Sequence, residues 1–274
     1  MTDIYVKIKY DGYRVEVLTD YADSELVKLC CREQMVEDAS CHRVHSSVEA
    51  KVYRMDFLGG QYYHKTFCQR SKIEPLKNYF YGSRAKRGLR GHRILRENGF
   101  RAPKVIMIGH RGGHNFMVTE AVADAVNLYQ YVDDIGKLEA GQERLAKQAI
   151  IEELGHYIGR LHAKKIIHGD LRWGNLLITK DQTGANMFWL IDNERTFRYP
   201  VLPGVRRLKN LVQLNMTVTK VISRADRMRF FRIYLLENDS IAPDKKQWLR
   251  RVADKTAMRL ERKRKKTQDT RQKA

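Results

Sequence analysis

The stretch 168–195 constrains this chain more than any other. It reads H-G-D-L-R-W-G-N-L-L-I, then a turn-like D-Q-T-G, then M-F-W-L-I-D-N-E-R. Asp170 sits in a loop, Asn175 follows five residues later just before an apolar run, and Asp192 closes a second apolar run across what reads as a short hairpin. Two carboxylates and an amide are hard oxygen donors of the kind Mg²⁺ prefers. Phosphoryl transfer asks for metal ions on the phosphates, a cation on the phosphoryl groups that are not transferred, and a group that orients the acceptor hydroxyl. Asp170 is the candidate orienting group or general base, and Asn175 and Asp192 are the candidate Mg²⁺ ligands. Any one of them alone would read as a turn former or helix cap; the set of three at this spacing favours chemistry.

The remaining chain reads as support for that stretch. Residues 4–18 alternate apolar and polar about Asp11-Gly12, a hairpin pattern. A helix is expected over 21–38, with Leu26, Val27, Leu29, Cys30 and Val36 as its apolar set. Strands return over 44–67, with a turn at Leu58-Gly59-Gly60-Gln61. Lys65 lies on the last of these strands, upstream of the motif stretch, and is the candidate phosphate-pairing lysine. Residues 83–98 form a basic helix ended by Asn98-Gly99 and Pro103. Residues 105–108 and 116–119 read as strands, 124–133 as a short helix, and 206–215 and 224–237 as further helices. The clearest helix is 143–163, where Ile150, Ile151, Leu154, Ile158 and Leu161 recur on one face. His168 reads as a structural hydrogen-bond hub, and the pair His110 and His114 as a turn between strands, not a metal site.

The expected architecture is α+β and bilobal, protein-kinase-like. It has a β-rich N-terminal lobe over 1–119, a mostly helical C-terminal lobe over 120–254 and a basic tail over 255–274, with a nucleotide cleft between the lobes. Glu120, Ala121 and Val122 fall at the boundary, where backbone groups would meet adenine; Glu120 and Val122 are accordingly candidate nucleotide contacts. The 43% hydrophobic content suffices for a core. The four cysteines, Cys30, Cys31, Cys41 and Cys68, match no zinc or redox spacing and read as reduced thiols of a cytosolic protein. The N-terminus shows no secretory h-region, and no apolar run approaches the roughly 20 residues that span a bilayer.

The residues H-G-D-L-R-W-G-N-L-L-I and L-I-D-N-E-R-T resemble the lipopolysaccharide core kinase family, the InaA-like Kdo and heptose kinases. Y-Y-H-K-T-F is similar to that family's lysine strand, R-I-L-R-E-N-G-F-R-A-P to its helix-to-proline segment, and R-R-L-K-N-L-V-Q-L-N with D-R-M-R-F-F-R-I-Y-L to its later helices. The resemblance covers roughly 44–237. It implies that Lys65 pairs the nucleotide phosphates, that Asp170 acts on a sugar hydroxyl, and that Asn175 and Asp192 hold Mg²⁺. The implied reaction moves the ATP γ-phosphate to Kdo or heptose of the inner core, at the cytoplasmic face of the inner membrane.

Four positions depart from the protein-kinase pattern. The phosphate-covering turn falls near 45–50, H-S-S-V-E-A, without glycine. Gly88 stands where the helix after Lys65 would carry its glutamate partner, with Glu97 and Glu74 as other candidates. Asp192-Asn193-Glu194 replaces D-F-G, and Gly169 replaces the arginine of regulated kinases. The last two point to a sugar or small-molecule kinase without activation-loop control.

The 52 Lys and Arg against 32 Asp and Glu give a net charge of +20, which favours an acidic partner. Basic residues concentrate in 84–104 and from Lys255 onward. Both segments suit an anionic membrane surface or the phosphates of a core saccharide, and the tail reads equally as a solvated end. No nucleic-acid-binding motif or aromatic interleaving accompanies the charge, so specific nucleic-acid binding is not expected. The competing readings are a protein Ser/Thr or small-molecule kinase of the same fold, and a non-catalytic pseudokinase bound to anionic membrane.

Overall fold

The computed structural model describes residues 3–32, 35–44, 50–68, 78 and 80–272. The chain divides into two compact units, one built from residues up to 123 together with 193–196, the other from 124–192 and 197 onward.

The first unit is a seven-stranded sheet. Its strands are β1 (Tyr5–Tyr10), β2 (Tyr13–Leu18), β3 (Cys41–Val44), β4 (Ala50–Phe57), β5 (Gly60–Phe67), β6 (Val105–Arg111) and β7 (His114–Glu120). They run antiparallel in the order β1-β2-β6-β7-β5-β4-β3. The hairpin expected over 4–18 turns at Asp11-Gly12, both at positive φ (46° and 73°), the backbone that two-residue hairpins need. The next hairpin turns on Leu58-Gly59 alone, because Gly60 already pairs with Phe57.

Strand alternation gives this sheet two buried faces. Tyr13, Val15, Val17, Met55, Phe116 and Val118 pack on one side with Leu26, Val27 and Cys30 of helix α1 (Glu25–Cys30). The helix expected over 21–38 is thus one short α-helix, Glu25–Cys30, and Val36, counted into its apolar face, is exposed. On the other side, Phe67, Val105, Ile108 and Met117 pack under Ala85 and Leu89 of helix α2 (Arg84–Glu97), the basic helix read from the sequence. Ser83 caps it, accepting the Lys86 N–H at 3.3 Å.

The second unit is mostly helical. It holds α3 (Leu128–Ile135), α4 (Ala140–Ala163), α5 (Gly204–Asn215), α6 (Arg224–Leu236) and α7 (Lys245–Gln272). The five apolar residues of 143–163 are all buried in α4. The segment 124–133 begins as a strand, β8 (Val126–Asn127), and Asn127 then caps α3, accepting the Gln130 N–H at 3.0 Å. β8 joins β10 (Leu176–Lys180) and β11 (Asn186–Leu190) in a small antiparallel sheet, so the hairpin of the motif stretch is present. The strand β9 (Ile166–His168) leads into Asp170. Helix α7 runs through position 255 without interruption. No helix among the described residues is long and apolar enough to cross a membrane.

Candidate active site

Within the second unit the motif residues lie together. β9 delivers the chain to Asp170, and β10 begins directly after Asn175. Asn175 Nδ2 donates to the Asp170 carbonyl at 2.8 Å, which turns its amide oxygen the other way. The Ile191 N–H donates to the Asn175 carbonyl at 3.1 Å and so sets Asp192 beside Asn175. Asp192 takes a left-handed backbone, φ 61°, which costs a non-glycine residue roughly 1 kcal/mol or more. His168 is fully buried and contacts the Ile191 carbonyl through Nε2 at 2.9 Å. It ties the aspartate loop to the second strand of the hairpin, the structural role read for it.

Two amides of α5, not singled out from the sequence, hold this loop. Gln213 Nε2 donates to Asp170 Oδ1 at 2.9 Å, while its Oε1 accepts the Leu171 N–H at 3.3 Å. Asn210 Nδ2 donates to the His168 carbonyl at 2.6 Å and to Gln213 Oε1 at 3.1 Å. Arg172 Nε lies 2.8 Å from Asp170 Oδ1. Asp170 thus accepts two donors on one oxygen. The signal available in the sequence was the spacing: Asn210 and Gln213 are three apart and interrupt the apolar face of Leu208, Leu211, Val212 and Leu214. Lys209 Nζ donates to the Gly169 carbonyl at 2.9 Å.

In the first unit Lys65 sits on β5 with its side chain largely buried. Its Nζ is 3.1 Å from Glu194 Oε1. Arg84, at the start of α2, clamps the same carboxylate, Nε to Oε2 at 2.7 Å and Nη2 to Oε1 at 3.1 Å. Both cations stand over the Phe67 ring. Among the described residues the lysine's carboxylate therefore comes from the D-N-E tripeptide, and not from Gly88 or Glu97 of α2. Glu74 and residues 45–49 of the glycine-less turn lie outside the described residues. The reason for Gly88 is spatial: a Cβ there would stand 3.9 Å from Glu194 Cγ and 3.0 Å from Met117 Sδ. One turn on, a Cβ at Gly91 would stand 2.0 Å from the Asn193 carbonyl. The G-x-x-G face of α2 is the groove that admits 193–196.

At the boundary segment the Glu120 N–H donates to the Lys104 carbonyl and the Ala121 N–H to that of Gln61. These two amides are committed within the unit, and among the described residues none of the hydrogen bonds of this segment uses the Val122 N–H. The four cysteines are free thiols. Burial pushes the Cys31 thiol up to about 12. Among the described residues no three His, Cys, Asp or Glu side chains cluster as a metal site. The Asn175–Asp192 pair still fits Mg²⁺, which takes one or two protein oxygens and completes its shell with water and phosphate.

The chain is similar to several known proteins. The chain is 26% identical over 147 residues to the EKC/KEOPS complex subunit bud32 of Dictyostelium discoideum, covering 53% of this chain and 56% of that protein; it spans little more than half the length of that curated relative. Among solved structures, WaaP in complex with acyl carrier protein superposes with a TM-score of 0.60 at 22% identity, covering 79% of this chain and 88% of that one. The PknI kinase domain of Mycobacterium tuberculosis matches with a TM-score of 0.36 at 16% identity, covering 58% and 61%. The fold is α+β and protein-kinase-like. The model of the lipopolysaccharide kinase (Kdo/WaaP) family matches residues 30–234, most of the chain and all of the motif residues described above, and the chain belongs to that family.

Proposed function

We propose that this chain transfers the γ-phosphate of ATP to a hydroxyl of Kdo or heptose in the lipopolysaccharide inner core. The observation that carries this reading is the loop in which Asn175 is tied to Asp170 through its side-chain amide and to Ile191, the neighbour of Asp192, through its backbone carbonyl. Asp170, held on one oxygen by Gln213 and Arg172, orients the sugar hydroxyl and takes its proton as the oxygen bonds to the γ-phosphorus. The bond from that phosphorus to the bridging oxygen breaks, and ADP leaves. Asn175 and Asp192 hold Mg²⁺, which neutralises phosphate charge when bound. Lys65, aligned by Glu194, pairs the phosphates that stay with ADP, and the Glu120 carbonyl and the Val122 N–H receive the adenine. The partner found for Lys65 removes one motive for a non-catalytic reading.

The enzyme acts peripherally at the cytoplasmic face of the inner membrane, with the basic α7 as its contact to anionic lipid. The solved neighbour was captured with acyl carrier protein, and here the second unit holds an apolar cavity of about 770 Å³ with Arg224, Arg227 and Arg250 among its lining. Such a cavity suits an apolar acyl chain, so a carrier protein bearing one is the proposed protein partner.

The test is phosphate gain on purified core acceptor with Mg·ATP, read by mass spectrometry, with a panel of protein and small-molecule acceptors alongside. Arms with acyl carrier protein and with anionic vesicles test the two partners. Asp170→Ala is expected to abolish turnover. Turnover that survives it would sink the role assignment, and phosphorylation of another acceptor class alone would replace the sugar reading.

A further inference from the structure

The α2-facing side of the first unit's sheet carries a charge arrangement that the proposed catalysis does not use. Antiparallel pairing sets Lys9 directly opposite Arg14, and Arg14 directly opposite His110. Directly opposed side chains on one face lie about 5 Å apart at Cβ, and like charges so placed repel. Lys86, on the first turn of α2, is a further cation beside this pair, and Lys7 stands one pair along the same face, directly opposite Glu16. The five residues line one cavity of about 370 Å³, with Glu16 as its carboxylate. Among the described residues none of the four Lys and Arg side chains enters an ion pair. His110 titrates below its ordinary range because it is partly desolvated and because Lys86 and Arg14 lie near it, with Glu16 opposing.

The directly opposed pair of Lys9 and Arg14, with Lys86 beside it around a concavity, costs stability unless something anionic fills it. Arginine's planar fork suits phosphate oxygens in pairs, and the lysines add point charges. The concavity, about 370 Å³, is roomier than a phosphate group. We infer that Lys7, Lys9, Arg14, Lys86 and His110 form a binding site for a phosphate-bearing anion, either free phosphate or phosphate carried on a saccharide. The row ends on β6, two strands away from β5 and Lys65, so this site is separate from the phosphate clamp of the proposed reaction.

The experiment titrates the full chain with inorganic phosphate and, in a second arm, glucosamine 6-phosphate. It uses calorimetry and thermal melting, in matched sodium chloride and with a saturating non-hydrolysable ATP analogue and Mg²⁺ throughout. The native chain is expected to bind and to melt higher with phosphate. Hydrogen exchange is expected to slow in β1, β2 and the first turn of α2. Lys9→Gln/Arg14→Gln is expected to bind at least about ten-fold more weakly, and to melt higher than native without phosphate because the repulsion is gone. A Lys51→Gln/Arg54→Gln control on β4, which removes equal charge, is expected to bind as native does. Tighter binding of the sugar phosphate assigns the ligand to a saccharide; equal binding assigns it to phosphate alone. Native-like affinity in the Lys9/Arg14 variant, equal loss in the control, or no binding beyond the salt blank would overturn the site.

Discussion

Glu194 answers two cations at once. Lys65 and Arg84 both reach its carboxylate, and all three side chains are at most 13% exposed. Replacing one member of such a group leaves the others charged and desolvated, a cost of about 3 kcal/mol or more. Glu194→Gln is therefore expected to lower unfolding stability by that order in urea titrations. It is also expected to lower kcat by about 100-fold through a misplaced Lys65. A variant that keeps native turnover would show that the carboxylate does not align the lysine. This partnership was not legible in the sequence, because the acid lies well over a hundred positions from the lysine and in a tripeptide expected to serve metal.

Helix α2 explains why. Two glycines weaken a helix by roughly 1 kcal/mol each relative to alanine, yet α2 keeps both, since 193–196 pack against them. Gly91→Ala would drive a Cβ into the Asn193 carbonyl, which is backbone and cannot swing away. It is expected to destabilise the protein by about 2 kcal/mol or more, despite its gain in helix propensity. Gly88→Ala meets the flexible Met117 side chain instead and is expected to fall within about 1 kcal/mol of native. Chemical denaturation of the two variants side by side checks this; equal effects would mean that the close approach at Gly91 does not matter. From the sequence Gly88 read as a missing glutamate, and only the packing shows it as room for another one. Helix α4 was legible because five apolar residues at helical spacing need no knowledge of what they pack against.

At the scale of the whole molecule, stability is tied to pH through buried histidines. His64 is buried against Phe116, and burial lowers its pKa to about 4. His162, between Tyr234 and Asn210, is lowered to about 3 for the same reason. Both folded values lie below the unfolded value of about 6.5, so the unfolded chain binds more protons across that window. Their contribution is fully present above about pH 6.5 and is lost as pH falls towards the folded values. Between pH 7 and pH 5 each histidine is expected to cost about 2 kcal/mol of unfolding free energy. Urea titrations at the two pH values measure the drop, which His64→Gln should shrink; an unchanged free energy at pH 5 would contradict the burial argument.

Local pattern by itself determined the hairpins, the basic helix and the long apolar-faced helix, and it singled out Asp170, Asn175 and Asp192 as candidates, because period and short spacing express interactions that act within a few residues. Tertiary structure alone decided the rest. It brought Glu194 to Lys65, set Gln213 and Asn210 under the aspartate loop, and aligned Lys9, Arg14 and His110 across three strands. Each of these depends on contacts between residues far apart in the chain, fixed by how sheet register and helix packing close in space, and spacing along the sequence carries no direct trace of them. The stretch 168–195 could be read as a candidate site because its oxygen donors are near neighbours in the chain, whereas the amides that hold its aspartate loop come from elsewhere in the fold.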